Sequence, residues 1–223
     1  IGMDLQVSPI KEPKGWAAAP EDSKEVILLT GKGLLRWPGL ILKNAEGKYD
    51  KVAFYKSKKD TEPFVTLEKG VMVKDVMMES FKDDVKVPCN RNMKLLNIAE
   101  DGSEITIYVA AAMNTYDDTV WSPKSLYAEI REKIGPMKPN SYVGCQDPTL
   151  ITDCMLDNWT VARDWQADCI NYLIKQYDLD VVFSHFHNVD MQFHKFVKHL
   201  AEGQPFNRLP HEQYEKFAED VYK

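Results

Sequence analysis

The sequence predicts a mixed α/β (α+β) chain, and three observations carry that class. Short β-favouring runs crowd the first half. Two of them flank Asp101-Gly102, a strong hairpin signal because Gly accepts the positive φ of a tight turn. The last third changes to a helix, a short apolar strand, a polar loop and a helix, the order of an α/β sheet with helices on its faces. The expected organisation is a β-rich region over 1–140 followed by an α/β segment over 141–223. The boundary is placed at Gly135 to Asn140, where two prolines and a glycine interrupt the pattern.

Each element has a local reason. Val26 to Thr30 is a short apolar run bounded by Gly31 and Gly33, the mark of a buried strand. Leu34 to Lys43 is a second run, and Pro38-Gly39 inside it predicts an edge strand or two short strands. Val52 to Tyr55 is a third. Met93 to Ala99 and Glu104 to Val109 form the predicted hairpin. Val73, Val76, Met77, Ser80 and Phe81 follow i, i+3, i+4 spacing and predict a helix. Ser122-Pro123 predicts a helix start, with Ser as N-cap and Pro in the first turn, and Gly135-Pro136 predicts its end. A long helix is expected from Asn158 to Tyr177, burying Ala162, Trp165, Cys169, Leu173 and Ile174. Asp180 to Ser184 reads as a strand, and about Asp190 to Ala201 as a further helix.

Composition narrows the function classes. Among 223 residues, 28 Lys+Arg oppose 34 Asp+Glu, a net charge of −6. That sign removes the basic footprint of a protein that binds a nucleic-acid duplex. No apolar run approaches the ~18 residues of a membrane span, so no membrane partner is expected. Cys89, Cys145, Cys154 and Cys169 form no C-x-x-C pair and are read as reduced, mostly buried thiols of a cytoplasmic protein. The chain opens Ile1-Gly2-Met3 and closes within the helical pattern Tyr214, Phe217, Ala218, Val221. The expectation is a segment of a longer protein, with any targeting signal outside it and exposed sheet edges able to pair with a second copy as a homo-oligomer.

The chemistry concentrates in one stretch. His185, His187, His194 and His199, four of the five histidines, lie within fifteen residues, just past the predicted strand. The ends of strands are where open α/β sheets bind ligands. Asp190 and His194 are four apart, one helical turn on one face, so a carboxylate and an imidazole can converge on one metal ion. The plainer reading makes Asp190 an N-cap acid and His194 a satisfied core histidine, the mark of a non-catalytic binding or interaction domain with a structural pair. His185 and His187 are expected to hydrogen-bond and orient the ligands, or to be polar loop residues. The H-x-H-x-D-H pattern of metallo-β-lactamase-like hydrolases fails, because Val189 stands where an Asp ligand is needed.

Asp180 to His194, with the helix Trp165 to Tyr177 ahead of it, resembles the alkaline phosphatase superfamily, most closely its type I phosphodiesterase / nucleotide pyrophosphatase branch. The resemblance implies a two-metal phosphoric-ester hydrolase, with Asp190 and His194 as ligands of one zinc and manganese as the alternative metal. It implies a phosphorylated small-molecule substrate. It also implies that residues 1–140 are a cap-like or inserted region and that 141–223 are part of an alkaline-phosphatase-like α/β sandwich core. Phe193 stands where the family carries Gly, and no catalytic nucleophile matches in this chain. The chain is therefore expected to be catalytically incomplete and to bind metal weakly when alone.

Three further expectations are structural. Lys51, Lys56, Lys58 and Lys59 are read as a solvated run protecting a sheet edge. Trp37, Trp121, Trp159 and Trp165 are read as packing residues. Asn114 to Thr119 is read as an Asx-capped polar loop, with a metal or substrate role for Asp117 and Asp118 as the lesser reading.

Overall fold

The computed structural model describes residues 5–138, 148–186, 200, 201, 203 and 210–220. The chain divides into two compact units, Ile1–Val120 and Trp121–Lys223. The class is mixed α+β, with antiparallel strands in the first unit and helices in the second.

The first unit holds two sheets. Five strands, β1 (Gln6–Val7), β2 (Lys24–Thr30), β3 (Leu35–Lys43), β4 (Tyr49–Phe54) and β5 (Val65–Glu68), form an antiparallel meander in sequence order. β6 (Met72–Lys82), β7 (Val85–Ile98) and β8 (Ile105–Val109) form a three-stranded antiparallel sheet. Alternate residues of both sheets build one core, including Val26, Leu28, Trp37, Ile41, Val52, Phe54 and Leu67 from the first and Val76, Met78, Met93 and Leu95 from the second. Burying apolar faces against each other is what makes a period-two pattern stable as sheet.

β3 is a single strand at the middle of its sheet, not an edge strand or two pieces. Pro38 is tolerated because β4 stops short of it. The last β3–β4 pair is Gly39 with Phe54, and beyond it only the Tyr55 amide reaches the Pro38 carbonyl, at 2.8 Å. The missing proline N–H therefore falls where β3 is already an edge on that side. Gly39 serves close packing: a Cβ there would lie 2.7 Å from two ring atoms of the buried Phe54.

The segment predicted as a helix at Val73–Phe81 is strand β6. A bulge explains the misreading. Val73 pairs with Met93 and Val76 with Arg91, so Lys74 and Asp75 together face Asn92. The extra residue spaces the core positions Val73 and Val76 three apart, which imitates a helical repeat. β6 turns into β7 through Asp83 and Asp84, both at positive φ (50° and 63°), a two-residue hairpin built without glycine. The Asp101-Gly102 hairpin forms as predicted, with Gly102 at φ 67° and its amide on the Ala99 carbonyl.

In the second unit, α1 (Lys124–Lys133) starts one residue later than predicted. Pro123, not Ser122, is the N-cap, at φ −68° and ψ 154°, with no side-chain capping bond. α2 runs Pro148–Tyr177, ten residues longer at its start than the sequence suggests. It buries Cys154, Asn158, Trp159, Val161 and Cys169, while Ile174, predicted inside, is exposed. α1 belongs with this unit because its partners lie there. Glu129 accepts hydrogen bonds from the Tyr172 and Tyr177 hydroxyls at 2.6 Å each, and Trp165 Nε1 donates to the Gly135 carbonyl at 3.1 Å. The predicted boundary at Gly135–Asn140 thus lies inside this unit, after α1. α3 (His211–Asp220) buries Tyr214.

Asp180 to Ser184 is not a strand. Val181 is 68% and Phe183 96% exposed. A strand needs a neighbouring backbone to pair with, and among the described residues of this unit there is none. The α/β sheet expected for 141–223 is therefore not formed by the described residues. No described helix is long and apolar enough to cross a membrane.

Candidate functional site

The predicted ligands Asp190 and His194, and their neighbour His187, lie outside the described residues, as does the expected helix from Asp190 up to His199. His185 is described. It is exposed, and it follows α2 by way of the irregular stretch from Asp178. Gln166, on α2, donates from Nε2 to the Ser184 hydroxyl and the His185 carbonyl, both at 2.9 Å. α2 thus fixes the backbone immediately before the histidine-rich stretch. Among the described residues, no group of three or more His, Cys, Asp and Glu side chains converges as a metal site would require. The donor types of Asp190 and His194, carboxylate and imidazole, are those that zinc takes.

The strongest polar cluster of the described residues is elsewhere and was not anticipated. Glu25, on β2, is fully buried on the sheet face opposite the main core. Its carboxylate accepts from Lys58 Nζ at 2.7 Å, Trp16 Nε1 at 2.8 Å and the Lys14 amide at 3.2 Å, with Lys11 Nζ at 3.3 Å. Burial alone would push this carboxyl up. The bonds from Lys58, Trp16, Lys14 and Lys11 outweigh burial and hold it at about 2 against the usual 4.5. Lys58 also lies over the Trp16 ring, 5.7 Å from its centroid. Both carboxylate oxygens are occupied, so the group has no room to bind a metal or to take a substrate proton. It ties the segment Lys11 to Trp16 onto the sheet. Lys58 is therefore not part of a solvated edge-protecting run, and β4, which carries Lys51, lies between β3 and β5. Lys51 pairs across to Glu68 at 2.8 Å.

The remaining candidates are structural. Asn114 Oδ1 accepts from the Tyr116 amide at 3.1 Å and Asp117 Oδ1 from the Thr119 amide at 3.0 Å, the Asx turns expected of this loop. Asp117 also pairs with Lys82 at 2.7 Å, and these bonds from Lys82 and Thr119 hold its carboxyl well below the usual range. Trp37 donates to Thr30 Oγ1 at 3.1 Å, and Trp121 stacks on Tyr127 with centroids 4.9 Å apart, so these rings are packing residues. Cys89, Cys154 and Cys169 are buried, and burial pushes the Cys169 thiol up to about 11. Cys145 lies outside the described residues. Sequence reasoning missed Glu25 because its partners come from separate stretches of chain, and no motif joins them.

No protein-family model, no curated protein and no solved structure matches this chain.

Proposed function

We propose that this chain is part of a metal-dependent hydrolase of phosphoric esters, of the phosphodiesterase/nucleotide pyrophosphatase type. The observation that carries the reading is the sequence spacing of Asp190 and His194, four residues apart as one turn of a helix would need, in a histidine-rich stretch that follows a long helix. Asp190 and His194 would hold one zinc, or manganese, of a two-metal centre. His185 and His187 would orient those ligands by hydrogen bonds. The metal would supply the positive charge that lowers the pKa of the attacking oxygen and offsets charge on the phosphoryl group. No residue of this chain matches the family's nucleophile, and two ligands fall short of the three a catalytic zinc usually takes from the protein.

The test is calorimetric zinc titration of the chain beside its D190A, H194A and H187A variants. Weak binding, micromolar or weaker, that disappears in D190A and in H194A is the expected result. Zinc binding that survives both changes and is lost only in H187A points to a different zinc hydrolase. No effect of either change on metal binding, together with a loss of helix content in D190A, returns Asp190 to a capping role and the chain to a non-catalytic domain. In a protein that carries this segment and cleaves bis-p-nitrophenyl phosphate, either substitution should lower the rate on the order of 100-fold or more.

A further inference from the structure

We draw no further inference here: the strongest candidate, the exposed apolar run of Leu179, Val181, Val182, Phe183 and Phe186 that follows α2, carries nothing because nothing in the structure shows what covers it.

Discussion

Two side chains in the first unit show how much a single position can hold. Glu25 ties the Lys11–Trp16 segment to β2, and E25Q should destabilise the chain by about 1–3 kcal/mol, because Lys58 and Lys11 lose a buried counter-charge. The pH dependence has a defined sign. The folded carboxyl titrates below the unfolded one, so its contribution is complete above about 4.5 and fades as the pH falls towards about 2. Urea unfolding of wild type and E25Q should therefore differ most at neutral pH and converge in acid. A gap that stayed constant down to pH 2 would show that the loss is one of shape, not charge. Gly39 acts by size. G39A sets a methyl carbon 2.7 Å from the fully buried Phe54 ring and should cost about 1–3 kcal/mol in the same assay. Neither residue could be singled out from the sequence, since Glu25 looks like any strand-flanking acid and Gly39 like a strand breaker.

At the level of elements, the hairpin at Asp101-Gly102 was legible because its turn residues state their own backbone geometry. The β6–β7 hairpin was not, since Asp83 and Asp84 occupy left-handed backbone without the glycine that usually announces it. Two acids at positive φ leave room for improvement. Replacing Asp83-Asp84 by Asn-Gly should stabilise the chain by about 0.5–1 kcal/mol, and a rise in the thermal midpoint without a change in circular dichroism would verify it. A lower midpoint would mean that the acids make contacts the glycine cannot replace. β6 was read as a helix because its bulge spaces Val73 and Val76 three apart. Periodicity reports which residues share an environment, and a bulge changes that spacing while the backbone stays extended. Pro38 is the converse case: its signal for an edge is correct on one side only, where β4 has ended.

For the molecule as a whole, the backbone hydrogen bonds divide the chain into well-paired and unpaired stretches. The amides of β3 and β7, each flanked by two strands, should exchange slowest in hydrogen-exchange measurements, and those of Val181 to Phe183 among the fastest. Slow exchange at Val181 to Phe183 would mean that this run is paired after all. The alternation of apolar residues and the turn chemistry were enough to determine a mixed class, a β-rich first part and helices in the last part, though the strand expected there did not form. Those properties are local: each depends on a residue and its near neighbours in the chain. Tertiary structure alone decided that β3 is central, that β6 is a strand, that α1 joins α2, and that Asp180 to Ser184 goes unpaired among the described residues. It also brought Lys11, Lys14, Trp16 and Lys58 around Glu25, and turned Arg91 towards the core. Strand pairing and charge compensation join residues far apart in the chain, and the energy that settles them belongs to neighbours that no local pattern names.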